Sequence, residues 1–356
     1  MSLHAIDDIG DAIDATKSLL FPFAARTWLK LALVVFFIGG GGGGLNGLQN
    51  AGNFGGQDQP TGGGVDQPIT DGAPPQTVDG LLAAIPAEVL VIGALVLLLV
   101  LVFGLLSNFM EFVFVQSLIE REVHVRRYLR ENVGNGLRLL AFRLAVALVS
   151  LLLTVGFLYT LFATVFGGNF DNVTASALFS ILPLAIVFFL TVGVVQGLLT
   201  GFTTVFVVPM MLTSDRGLVG SWKRLLGSMG SNIKQYLAYL AFSIVLGIGV
   251  GIVGSIFGLI ATLLIAIPFV LVGAVAFFAL GGGHVALVVV GVIAVLFALV
   301  LLLATTLIQV PLQAFLRYYA MLVLGDIDAA LDPLPAVRAD IRPDEVDDEP
   351  TAADGA

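Results

Sequence analysis

From Tyr236 to Pro311 the chain runs for 76 residues without an Asp, Glu, Lys or Arg. A helix of about 20 apolar residues spans roughly 30 Å, the hydrocarbon thickness of a bilayer. Four further apolar runs occupy Leu29–Leu48, Ala87–Gln116, Leu139–Phe166 and Ala177–Pro209. A soluble fold burying all of them would need far more polar surface than remains. Only 12% of residues are charged and 58% are hydrophobic, against about a quarter charged in soluble domains. The fold class is therefore all-α, a polytopic membrane helix bundle.

The 16 basic residues fix its expected topology. Lys17, Arg26 and Lys30 precede or begin the first run. Arg121, Arg126, Arg127, Arg130, Arg138 and Arg143 separate the second from the third. Arg216, Lys223, Arg224 and Lys234 separate the fourth from the fifth, and Arg317, Arg338 and Arg342 follow it. The segments Asn46–Pro86 and Gly167–Ser176 contain none. Because Lys and Arg are retained in the cytoplasm, both termini are expected inside a cell membrane. The 76-residue run must then cross an even number of times. Two crossings give six transmembrane helices, with a buried bend or re-entrant hairpin around Ile265–Leu280. Four crossings give the alternative of eight spans, with turns near Gly258, Pro268 and Gly281–His284.

The spans repeat as hairpins. "GLLSNFMEFVFVQ" (Gly104–Gln116) aligns without a gap on "GLLTGFTTVFVVP" (Gly197–Pro209), and "FTTVFVVP" aligns on "ATTLIQVP" (Ala304–Pro311). The alternate spans each begin with one base, Lys30, Arg138 or Lys234. A candidate interfacial amphipathic helix precedes each pair. Ile6, Ile9, Ile13 and Leu20 form the apolar face of the first; Val125, Tyr128 and Leu129 belong to the second; Leu218, Trp222, Leu225 and Met229 belong to the third. The reading is one membrane domain over 1–325, with repeats at about 4–119, 120–214 and 215–325 and an external flexible loop over 46–86. Residues 326–356 form an acidic, disordered cytoplasmic tail.

Glu111 is the anomaly in this pattern. Gly104, Asn108 and Glu111 share a helical face, matched by Gly197, Gly201 and Thr204 and then by Leu299, Leu303 and Thr306. Small residues at this spacing let helices approach closely, and polar ones bond between them. A carboxylate within a span is costly and is a functional candidate. Asn108, Glu111, Thr204, Thr306 and Gln309 form the candidate intramembrane polar layer. Its plain reading is an interhelical hydrogen bond or ion pair near the inner surface; its sharper reading is a protonatable group in a cavity.

Other chemistry is thin. The chain has no cysteine, and His4, His124 and His284 lack ligand spacing. No catalytic, metal or cofactor site is expected. The Gly39–Gly44 run lacks the Lys-Ser/Thr ending of a phosphate loop. Asn172-Val173-Thr174 fits a glycosylation triplet in an outer loop. The net charge is −9, with 18 Asp against 7 Glu and 12 Arg against 4 Lys. Such acidity suits a very salty cytoplasm.

The hairpin repeat, the opening "DDIGDAIDATK" and the Asp-rich, Lys-poor composition resemble a haloarchaeal family of multi-span integral membrane proteins of unknown function. More loosely, the layout resembles the six-span domains found beside glycerophosphodiester phosphodiesterases. The catalytic barrel and its metal-binding acids have no counterpart here, so the resemblance implies no enzyme activity. The expected function is non-catalytic, organising or regulating membrane partners or lipids. The alternative is a transporter or channel for a small solute or ion through the layer around Glu111. Membrane lipids and an unidentified membrane protein are the expected partners, with no nucleic acid; the oligomeric state stays open.

Overall fold

A computed structural model describes residues 4–39, 87–169, 174–214 and 216–342. The regular elements among them are all helical: α1 (His4–Leu20), α2 (Ala25–Gly39), α3 (Ala87–Glu120), α4 (Val125–Glu131), α5 (Val133–Thr164) and α6 (Ala175–Phe202). A π-helical turn (Thr203–Val207) carries α6 into α7 (Val208–Thr213). Then come α8 (Leu218–Ser231), α9 (Ile233–Ala279), α10 (His284–Ile327), a 3₁₀ turn (Ala329–Leu331) and α11 (Pro335–Ile341).

Five stretches are long and apolar enough to cross a membrane: Val89–Glu120, Val133–Thr164, Ser176–Thr213, Ile233–Ala279 and His284–Ile327. The first expected span is described as α2, 15 residues long. Its continuation through the glycine run, the loop over 46–86 and Asn172 all lie outside the described residues.

The 76-residue run folds as one hairpin. Gly281 and Gly282 turn it, each at φ 71°, where only a residue without Cβ is unstrained. The bend expected at Ile265–Leu280 does not occur, because α9 continues as helix through Pro268. Unbroken helix at Gly258 and Pro268 likewise removes two of the turns the eight-span alternative needs. Apolar helices tolerate an internal proline where neighbours or local adjustment satisfy the freed carbonyl. At 1.5 Å per residue the 47 residues of α9 extend roughly 70 Å, well beyond a bilayer core. Its first turns are used differently: Tyr236 and Tyr239 are buried and Phe242 packs on the core.

That core lies at one end of the bundle. Phe112, Phe114 and Leu118 of α3 meet Phe206 of the π turn, Met210 and Met211 of α7 and Tyr318–Leu324 of α10. Beyond it the same helices turn apolar faces outward, as at Val89–Val102, Leu144–Leu158 and Val285–Leu303. Lipid can cover such surfaces and water cannot, so each long helix divides into a membrane half and a protein-packed half. Both described chain ends join the packed half, where α11 folds against α1 and α10.

This end differs from the sequence reading in two ways. The face of α1 that docks on the core carries the expected Ile9 and Leu20 but also Asp8, Ala12, Ala15, Thr16 and Leu19, while Ile13 is 41% exposed. The small side chains of Ala12 and Ala15 allow close approach to α10, and Asp8 finds Arg342, just past the end of α11. Nor is the segment from residue 326 a free tail up to Arg342. Leu331, Leu334 and Val337 are buried, and two arginines tie the segment down. Arg338 pairs with Asp326 and, at 2.9 Å, with Asp332. Arg342 pairs with Asp326 at 3.2 Å, with Asp8 at 2.6 Å and with Asp11. Residues 343–356 lie outside the described residues.

The approach of α5 to α3 depends on Gly136, because a Cβ there would collide with the Phe109 ring. Gly136→Ala is expected to destabilise by about 1–3 kcal/mol through overpacking, outweighing alanine's better helix propensity of about 1 kcal/mol. In a Phe109→Ala background the same change should stabilise. Thermal unfolding of wild type, the two single variants and the double variant measures both signs.

Candidate functional site: a buried polar layer between the hairpins

The layer begins with a backbone irregularity that Pro209 dictates. The Val208 N–H donates to the Thr203 carbonyl, five residues back. In this i→i+5 register the Thr204 carbonyl should receive the N–H of residue 209, and proline has none. Arg317 Nη1 supplies the missing donor, bonding Thr204 O at 2.6 Å.

Arg317 also binds Glu111, its Nη2 donating to Oε1. Both side chains are deeply buried, 7% and 3% exposed, so the charges are taken out of water together. On the other side of the π turn, Arg143 Nη2 donates to Thr204 Oγ1 at 2.9 Å and its Nη1 donates to Asn108 Oδ1 at 2.9 Å. Asn108 Nδ2 donates to its own helix at Gly104 O, 2.7 Å away, which orients its carbonyl toward Arg143. Trp222 of α8 closes the layer, with Nε1 donating to Thr203 Oγ1 at 3.2 Å. Its ring lies 6.2 Å from that of Phe142.

Asn108, Glu111 and Thr204 thus converge on α3, α5, the π turn and α10. Thr306 and Gln309 are placed otherwise. The Thr306 hydroxyl donates to Leu302 O on its own helix at 2.6 Å, and Gln309 lies against Gly39, where an added Cβ would sit 2.8 Å from Gln309 Oε1. Among the described residues nothing lies within 4 Å of a Cβ built at Gly197 or Gly201, so none of them packs closely there as expected.

Sequence reasoning counted Arg143 and Arg317 only as topological charges. A signal was nonetheless present: each lies inside apolar sequence, "LLAFRLAVAL" and "LQAFLRYYAMLVL", where a surface-seeking base has no reason to be. Arg143 is 21 residues from the far end of α5, roughly 32 Å at helical rise. The layer therefore lies about one hydrocarbon thickness from that end, at the boundary of the membrane half.

A profile built for a single protein family matches residues 3–334, a stretch that includes every member of the layer. The chain belongs to DUF7544, a family of unknown function. No curated protein and no solved structure matches it. For DUF7544 the polar layer therefore has to be interpreted from its own chemistry. One carboxylate faces two guanidiniums, all hydrogen-bonded, and the side chains that make them converge come from three long helices and one π turn. Such a layer pins helices in register and holds one positive charge in excess.

Proposed function

We propose that this DUF7544 protein is a non-catalytic membrane protein that organises or regulates lipids or other membrane proteins. It would have six spans in three repeated hairpins and both termini in the cytoplasm. The observation that carries this reading is the engagement of Glu111: its buried carboxylate is occupied by Arg317, which also bonds the Thr204 carbonyl. A carboxylate held in this way serves to fix helices in register. Support for the orientation comes from α4 and α8, whose exposed Arg126, Arg130 and Lys223 lie at the packed end that also carries both described termini. The acidic composition supports a salt-adapted, haloarchaeal setting. Gentle extraction at high salt, followed by mass spectrometry of what co-purifies, tests the proposal. A stoichiometric protein or lipid that is lost when Arg126 and Arg130 are changed to Ser is the expected result. A chain recovered free of either would count against it.

The convergence of Asn108, Glu111 and Thr204 supports a second reading, a transporter or channel for a small solute or ion through this layer. Reconstituted vesicles separate the two. The organising role predicts no ion- or proton-coupled flux that depends on Glu111, so Glu111→Gln and wild type should give equal backgrounds. A flux present in wild type and abolished by Glu111→Gln would replace the first reading with the second.

A further inference from the structure

The apolar side of α8 faces the protein: Leu218 and Leu225 are buried, and Trp222 reaches the polar layer. The opposite side carries Val219, Lys223 and Leu226 at helical spacing. Lys223 is exposed, and Val219 and Leu226 are 66% and 57% exposed. Further bases surround this helix. Arg216 precedes it and Lys234 follows it, both exposed. Arg138 of α5 flanks its start, with Nη1 3.6 Å from a Cβ built at Gly217. Among the described residues Arg138 bonds only Asn135 Oδ1, at 3.4 Å, and Arg216, Lys223 and Lys234 have no ion-pair partner. The chain as a whole carries −9, yet from Asn132 to Gly325 seven bases stand against two acids, Asp171 and Asp215.

Trp222 sets the depth of α8, because its Nε1 donates at 3.2 Å to Thr203 Oγ1 in the layer at the boundary of the membrane half. Arg138 precedes Arg143 by five residues, which carries it roughly 7.5 Å outward from that boundary. Headgroups occupy about 5–7.5 Å beyond each edge of the hydrocarbon.

We infer that the outer face of α8, with Arg138 and Arg216 at its start, is a docking surface for anionic phospholipid headgroups. This names a lipid class for the membrane-organising reading above and rests on it. Val219 and Leu226 meet the upper acyl chains, while Lys223 between them extends its ammonium outward to a phosphate. The guanidiniums of Arg138 and Arg216 each offer two parallel donors to phosphate oxygens. A helix in the headgroup plane is held by these apolar and ionic contacts together. An acidic protein would neutralise the bases too, but Trp222 places α8 where acyl chains begin, and lipid already fills that depth.

Trp28 and Trp222 are the only tryptophans, so Trp28→Phe leaves Trp222 as a reporter on α8. The full chain with that change is reconstituted in vesicles of equal parts phosphatidylglycerol and phosphatidylcholine. Bromines are placed on the upper acyl chain of one lipid or the other. Brominated phosphatidylglycerol is expected to quench Trp222 more strongly, corresponding to about fivefold enrichment beside α8. Arg138→Gln/Arg216→Gln/Lys223→Gln, at three exposed positions, should bring that ratio close to one without unfolding the chain. Arg26→Gln, at an exposed base on α2, should leave it unchanged. Equal quenching by the two lipids before those changes would overturn the inference, as would a preference that the triple variant retains. So would a preference abolished by added inorganic phosphate, or a Trp222 that neither lipid quenches because a protein covers α8. A chain that enters vesicles without lipid preference has lost this inference alone; one that does not enter them has lost the membrane reading as well.

Discussion

Arg317→Met is expected to destabilise the protein by about 3–5 kcal/mol, because it leaves the Glu111 carboxylate buried without its cation and the Thr204 carbonyl without its donor. A loss of that size lowers the unfolding midpoint by on the order of 10 °C. The double variant Glu111→Gln/Arg317→Met should recover more than half of it, since the greatest part of the cost is the orphaned charge and not the absent attraction. Arg317→Lys should fall between wild type and Arg317→Met: an ammonium keeps the charge but does not reproduce the planar fork that reaches both acceptors. Thermal unfolding in nanodiscs reads all three. Wild-type stability in Arg317→Met would show that Glu111 is not held by this pair.

The second large effect belongs to the ionic cluster that ties α1 to the segment after α11. Arg342 meets Asp8, Asp11 and Asp326, and Asp8 is fully buried. Burial raises the Asp8 carboxyl from 3.8 to about 6, outweighing the lowering by Arg342 and Arg338. The folded state therefore holds a proton more tightly than the unfolded chain. Its contribution to stability is fully present below pH 3.8 and is lost as pH rises through about 6. Above that it is constant. A shift of this size is worth about 2–3 kcal/mol between the two limits. Removing the cation should enlarge the effect. Arg342→Ala is expected to undock α1 at about pH 8 at a cost of about 3–5 kcal/mol, with recovery as the pH is lowered toward about 5. Asp8→Asn should abolish most of the pH step while keeping α1 docked, since Arg342 retains Asp11 and Asp326. Amide exchange of α1 as a function of pH reads the docking directly. Protection of α1, relative to the intrinsic exchange rate at each pH, that is independent of pH in wild type and Arg342→Ala alike would refute the linkage.

The two clusters show what a sequence conveys and what it withholds. Glu111 is conspicuous on its own, because a carboxylate inside apolar sequence has to be explained. Its partner is 206 residues away, and no local pattern joins them. Arg317 even suggests a different job, since a base near the end of a span ordinarily marks the cytoplasmic boundary. Asp8 is similar: in sequence it is one of four acids early in α1, with Asp7, Asp11 and Asp14, and only the position of Arg342 makes it a buried group. The glycines of α6 mislead for a related reason. Their spacing is that of a packing face, but whether anything packs there depends on where the other hairpins go.

Hydrophobic length and charge determined the class of this protein unaided. Runs too long and too apolar for water have to be helices, because in lipid each backbone group must be satisfied within its own segment. Local chemistry reached somewhat further, as glycines at 281 and 282 turn the last hairpin and Pro209 fixes which carbonyl of the π turn is left open. The tertiary structure alone decided that the segments around Asp8 and Arg342 fold back onto the bundle, that α9 is one continuous helix, and that Arg143 and Arg317 leave the surface to meet Asn108, Glu111 and Thr204. The physical reason is that desolvated charges need partners at a particular point in space, and that point is set by the packing of helices far apart in sequence.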